Sequence, residues 1–293
     1  MSERLPTYGG QAVIEGVMMR GARGVAVAMR APNQEIIIHT EPLSGIYKSK
    51  ITKIPFLRGL VALWDALGLG IRALTISANV QTGEDEKIEG PTLYLTLAFS
   101  LALGIGLFFL LPATVGQLTE RFFHWNSWWS NLLEGVARLA LLISYIWAIG
   151  QMPPVRRVFS YHGAEHKTIN AYESGVELIP ENVTKSSLEH PRCGTAFLLT
   201  LVVMSIILFS MLGPLPFGWR LASRILLLPV LAGLAYEYIR WTAKHMDSRL
   251  VRMLVAPNLS LQHLTTREPS LEMLEVSIAA FNAMRTQENI VTP

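Results

Sequence analysis

The stretch "TLYLTLAFSLALGIGLFFLLPATVG" at residues 92–116 runs for 25 residues without a charged side chain. At 1.5 Å of helical rise per residue, about 20 apolar residues cross the hydrocarbon core of a bilayer. A helix of that length that is apolar on every side reads as a membrane span, not as the one-faced helix of a soluble core. Three further stretches meet the same length. "NLLEGVARLALLISYIWAIG" (131–150) carries Glu134 and Arg138, and "TAFLLTLVVMSIILFSMLG" (195–213) carries no charge. "WRLASRILLLPVLAGLAYEYIRWTA" (219–243) is charged near both ends. The composition agrees, with 51% hydrophobic and 16% charged residues in a chain of 293.

Loop charges orient these spans. Ten Lys/Arg precede the first span, five lie in the middle loop 151–194 and six follow from Arg240 onward, while the loop between the first two spans holds only Arg121. Positive-inside counting places both termini and the middle loop in the cytoplasm. The outer loop "RFFHWNSWW" is aromatic, as expected at headgroup level. The predicted fold is therefore a mainly α-helical multi-pass protein of the cell membrane, with four transmembrane helices and both termini inside. Glu134 and Arg138, four apart, predict a structural ion pair near the outer leaflet that Arg224 can join. The expected partner is the lipid bilayer. The net charge of +3, without a block of like charge, excludes a nucleic-acid footprint. The single cysteine, Cys193, excludes an internal disulfide. "MSERLPTYGG" has no apolar core of a cleavable signal.

Residues 1–90 read as a cytoplasmic N-terminal segment. "GVAVAMR" and "EIIIHT" flank "APNQ", a β-hairpin with its turn at Pro32-Asn33. Residues 56–80 are helical in pattern, with Arg58, Asp65, Arg72 and Asn79 spaced by sevens in one narrow polar stripe. Such a helix lies in the interface or packs against the spans; as a fifth span it would hold Asp65 at mid-depth. Residues 82–90 read as a solvated acidic linker. Residues 244–293 form a cytoplasmic tail ending in a helix over 270–286, capped by Ser270, with Leu271, Leu274, Ile278 and Phe281 on its apolar face.

The chemistry lies in the middle loop. In "YHGAEHKTINAYE" (161–173) a helix puts His162 and His166 on one face, one turn apart, which suits two imidazoles sharing a Zn²⁺. Glu165 stands beside them, as in the H-x-x-E-H order of inverted zincins. Farther on, "HPRCG" (190–194) offers His190 and Cys193 as a second ligand pair, with Gly194 expected to permit the tight turn. Glu173, roughly 10 Å from His166 along the helix axis, suits a second-shell or substrate-facing role. Glu237 is an alternative carboxylate ligand or partner.

Four blocks, "GGQAVIEGVMMRG" (9–21), "HGAEHK" (162–167), "HPRCGTAF" (190–197) and "LQHLTTREP" (261–269), resemble the YqhQ-type bacterial membrane proteins, over nearly the whole chain. That family is named for a domain of unknown function and described as predicted metal-dependent enzymes. The resemblance implies a multi-pass membrane protein with a metal site at His162, Glu165, His166, His190 and Cys193. It also draws in the first block, where Glu15 or Arg20 would reach the metal site as a carboxylate ligand or an anion-binding guanidinium. The plainer reading of that block is a turn that starts the hairpin.

Two functions follow. In a zinc hydrolase at the cytoplasmic membrane face, His162, His166 and one further ligand hold Zn²⁺, and Glu165 takes a proton from the attacking water and returns it to the leaving group. In a non-catalytic scaffold, His162, His166, His190 and Cys193 close a structural zinc site that pins the loop and shapes a docking surface for a cytoplasmic partner. A transporter is disfavoured, because the first and third spans carry no ionisable residue.

Overall fold

The computed structural model describes residues 8–43, 54–82 and 90–290, apart from the side chains of 289 and 290. Four strands, β1 (Gly9–Val13), β2 (Gly16–Arg20), β3 (Gly24–Arg30) and β4 (Ile36–Pro42), form an antiparallel sheet in sequence order. The β3–β4 hairpin turns at the predicted Pro32-Asn33 site. The block "GGQAVIEGVMMRG", expected to be a turn, instead forms the β1–β2 hairpin through the two-residue turn Ile14-Glu15. The reason it escaped is burial. β2 is buried on both faces and β1 is half-buried at nearly every position, so neither shows the period-2 alternation of a strand with one wet face.

The helices are α1 (Leu57–Thr82), α2 (Gly90–Ile105), α3 (Leu111–Phe123), α4 (Ser127–Ile149), α5 (Pro153–Glu173), the single turn α6 (Pro180–Val183), α7 (Gly194–Ser210), α8 (Phe217–Leu226), α9 (Leu228–Lys244), α10 (Arg249–Thr265) and α11 (Leu271–Ile290). One sheet face, with Val17, Met19, Ala26 and Ala28, packs on Tyr161, Ala164 and Ile169 of α5 and on Leu274, Phe281 and Met284 of α11. The other face, with Met18, Val25, Val27 and Met29, packs on Ala73, Leu69, Ile76 and Val80 of α1. The terminal helix begins at Leu271 as expected, with Leu274, Ile278 and Phe281 buried but Leu271 exposed. The tail holds a second helix, α10, which the reading of one helix in 244–293 missed. Pro257 sits inside it and masks the helical pattern. The acidic linker falls largely on 83–89, outside the described residues.

α2 runs through a π-helical turn at Gly106–Leu110 into α3, making one apolar helix of 34 residues. α4 and α1, of 23 and 26 residues, are likewise long and apolar enough to cross a membrane. α8 and α9 qualify together as a pair bent by 43°. Pro229 causes the break, since it lacks an N–H and its ring collides with the carbonyl one turn back. α7, with 17 residues, is a shorter apolar helix. Three such helices, or four with the bent pair, mark a membrane protein. α1 thus satisfies the length and apolarity of a span, although the sequence reading disfavoured a fifth span and left the helix in the interface or packed against the others.

A buried ionic cluster joins α3, α4, α8 and the π turn. Glu134 lies 2.7 Å from Arg138 and 2.6 Å from Arg224, as the spacing led one to expect. Arg220 joins it at 3.3 Å and reaches Glu120 at 2.8 Å. The π turn leaves the Phe108 carbonyl to accept Arg138 Nε at 2.9 Å. Every nitrogen of the three guanidiniums has a hydrogen-bond partner, as buried charge requires.

Candidate metal centre

α5 opens on Pro153-Pro154, which suits a helix start because the first N–H groups have no partner there. Along it, His162 and His166 lie one turn apart with ring centroids at 4.4 Å. His162 Nδ1 meets the Thr265 carbonyl at 2.9 Å, at the end of α10. His166 Nδ1 meets the Leu188 carbonyl at 2.5 Å. A carbonyl can only accept, so each Nδ1 carries the proton and each Nε2 is left as a lone-pair donor. His162 Nε2 lies 3.2 Å from Cys193 Sγ. His166 Nε2 is buried without any hydrogen-bond partner. One ligand atom from each of His162, His166 and Cys193 lies within 4.8 Å of the other two. A ring nitrogen fixed by a backbone carbonyl, with the other turned inward, is the outer-shell arrangement of metal-ligating histidines.

Cys193 is the N-cap of α7, and its sulfur accepts the Thr195 N–H at 3.4 Å. It reaches the cluster through a turn in "HPRC", where Cys193 N–H donates to the His190 carbonyl at 3.2 Å. Pro191 presets that turn. Gly194, expected to make it possible, is instead the first residue of α7, and an added Cβ would meet nothing.

His190 stands slightly apart. Its ring centroid is 5.6 Å from that of His166, and its buried Nε2 also lacks a hydrogen-bond partner. Burial first, then Arg192 and the neighbouring imidazoles, push His190 down to about 3, so it is neutral. Glu173 approaches His190 Nε2 to 4.0 Å, while its other oxygen is taken by Arg192. Glu173 therefore sits nearer the histidines than its axial offset along α5 suggested, because His190 comes toward it from the loop.

Glu165 points under the sheet. Gly10 N–H on β1 donates to its carboxyl, and a Cβ on Gly10 would fall 2.9 Å from Glu165 Cγ. Burial pushes Glu165 up to about 7, against the pull of His162 and the Gly10 N–H. So the first block does reach this region, but through Gly10. Glu15 and Arg20 are engaged elsewhere. Glu15, at φ 52 in the β1–β2 turn, binds Arg157 through both oxygens and lines a polar cleft of ≈160 Å³ with Arg30, Gln81 and Tyr161. Arg20 pairs with Asp65 at 2.9 Å. Glu237 pairs with Arg58 and is likewise not brought to the cluster.

Residues 174–193 form a strap carrying His190 and Cys193, and side chains that the sequence reading passed over hold it in place. Lys167 Nζ donates to the Thr184 and Ser186 carbonyls at 2.5 and 2.9 Å and pairs with Glu268 at 2.7 Å. Asn170 donates to the Ser187 and Glu189 carbonyls. Gln262 grips the His190 backbone both ways, accepting its N–H and donating to its carbonyl, each at 2.9 Å. The signal was present in "HGAEHK" and "LQHLTTREP": long polar side chains in apolar surroundings, which need partners.

The molecule so described is a membrane protein whose sheet and surface helices hold a His/His/Cys cluster, half-buried at His162 and buried at His166 and Cys193, at the start of an apolar helix. A family model described as "Protein of unknown function (DUF1385)" matches residues 54–287, and the chain belongs to that family. The "Uncharacterized protein YqhQ" of Bacillus subtilis (strain 168) is 36% identical to it over 294 residues, covering 95% of this chain and 92% of the relative. No solved structure matches.

Proposed function

We infer that this protein binds one divalent ion, with zinc favoured by the N/S donor set, through His162 Nε2, His166 Nε2 and Cys193 Sγ. The observation that carries the reading is the pair of Nδ1–carbonyl hydrogen bonds, which leave both Nε2 atoms available in a His/His/Cys set whose ligand atoms lie within 4.8 Å of one another. Three protein ligands leave a fourth position, and that is the pattern of a hydrolase. When bound, the ion would supply Lewis acidity and make water ionise near neutral pH. Glu165, buried and adjacent to His166, would take up the proton and return it to the leaving group. The Gly10 N–H would orient that carboxyl, and the sheet above it would exclude bulk water. The substrate would come from the cytoplasmic face of the cell membrane, with both termini and the middle loop on that side and α2–α3, α4, α7 and α8–α9 as the spans.

The second reading is a scaffold with a structural zinc site, which the unpartnered His190 Nε2 supports as a fourth ligand. Elemental mass spectrometry on detergent-purified protein, beside His162→Ala/His166→Ala, tests the shared core. One zinc per chain, lost in the double variant, is expected. Absence of stoichiometric metal from a folded, chelator-free preparation sinks both readings. His190→Ala then separates them: retained zinc favours the open site, and lost zinc favours the closed one.

A further inference from the structure

Helix α1 is amphipathic in the reverse sense of a helix on a soluble protein. Its polar stripe is engaged by the rest of the molecule, and is covered at Arg58 and Asp65. Arg58 Nε reaches Glu237 of α9 at 2.7 Å, and Asp65 lies 2.9 Å from Arg20 on β2. Arg72 lies 2.9 Å from Glu41 on β4. The Arg72 side chain stays 64% exposed beside that pair. The rest of the outer face is apolar: Leu57, Trp64, Leu67 and Leu74, spaced by sevens and threes on a single stripe. Trp64 is 77% and Leu67 54% exposed.

This stripe begins where α1 is fastened to the apolar helices. The Phe56 ring occupies the space a side chain on Gly233 would fill, and Tyr236 packs on Gly59 in the same way. Trp241, at the end of α9, is exposed as well, and indole rings favour the headgroup level. α10 is tied to α9 by the Tyr238 hydroxyl on the Leu254 carbonyl at 3.2 Å. It also leaves an apolar edge open, Leu250, Met253 and Leu254, interleaved with exposed Arg249 and Arg252. Apolar side chains alternating with basic ones are the chemistry of an anionic lipid surface.

Crossing the bilayer is the alternative that α1's length allows. The sheet forbids it. β4 is an edge strand with Ile38, His39 and Thr40 exposed, and it is joined to α1 through the Glu41–Arg72 pair. An open sheet edge does not survive in hydrocarbon.

We propose that α1 is a membrane-surface helix whose Leu57–Trp64–Leu67–Leu74 stripe sits in the headgroup–acyl boundary of the leaflet nearest the sheet, with the apolar edge of α10 beside it. The proposal rests on the spans assigned above. It is tested by nitroxide labels on Trp64→Cys, Leu67→Cys and Leu74→Cys in nanodiscs containing phosphatidylglycerol, with Leu101→Cys in α2 as a reference. All four replace exposed side chains, and the unsubstituted chain reports any label on buried Cys193. At Trp64, Leu67 and Leu74, collision with oxygen should exceed collision with a water-soluble nickel chelate several-fold, at depths all shallower than Leu101. Preferential collision with nickel would overturn the proposal, as would dipolar broadening from a second copy or a depth that passes the bilayer centre between Trp64 and Leu74. A Leu101 label outside the hydrocarbon would overturn the span assignment, and the proposal with it.

Discussion

Gly163, the second letter of "HGAEH", shows what a single residue decides at this centre. A Cβ built there would lie 2.1 Å from the Arg267 carbonyl oxygen. The chain after α10 therefore presses directly on α5, and Arg267 N–H donates to the Phe159 carbonyl at 3.0 Å along the same contact. That closeness brings the Thr265 carbonyl onto His162. Gly163→Ala should cost about 1–3 kcal/mol, as overpacking against rigid backbone does. It should also weaken metal retention by moving Thr265. Thermal unfolding with parallel metal analysis checks both, and an unchanged melting temperature would refute the argument. The histidines themselves were legible from spacing alone. Their tautomers were not, because Thr265 and Leu188 contribute through backbone oxygens, which any residue type could supply.

Among the elements, the strap 174–193 has little secondary structure of its own beyond α6, so its position depends on side chains from α5 and α10. Gln262 is the clearest case, since it satisfies both backbone groups of buried His190. Gln262→Ala leaves a buried N–H and a buried carbonyl unpaired, at a cost of about 1–3 kcal/mol. Faster amide hydrogen exchange across 188–193, with α7 protected as before, is the expected signature. Uniform exchange in both proteins would mean that the strap is held elsewhere. The helices α5, α7 and α11 were visible in the sequence, as were the apolar parts of α2–α4 and α9. α10 was hidden by Pro257, and β1–β2 by the lack of an alternating wet face.

For the molecule as a whole, the sheet, α5 and α11 form one layered body that α1 and the strap connect to the apolar helices. The charge asymmetry of the loops sets which side of the membrane that body occupies. A membrane-impermeant thiol reagent applied to intact cells should modify Trp125→Cys, between α3 and α4, and spare Glu177→Cys in the strap until the cells are opened. Modification of Glu177→Cys in sealed cells would reverse the assignment.

The local pattern of the sequence determined the apolar helices, the β3–β4 hairpin and the His/Glu/His triplet on α5, because span length, turn chemistry and helical spacing are properties of neighbours in the chain. The sevenfold polar stripe of α1 was equally plain, but the side it faces was not. Only the tertiary structure decided that the stripe pairs with Arg20, Glu41 and Glu237. It also decided that Gly10, and neither Glu15 nor Arg20, meets Glu165. Each of these depends on which distant segments share a surface, and no local periodicity encodes contacts between residues from 31 to 179 positions apart.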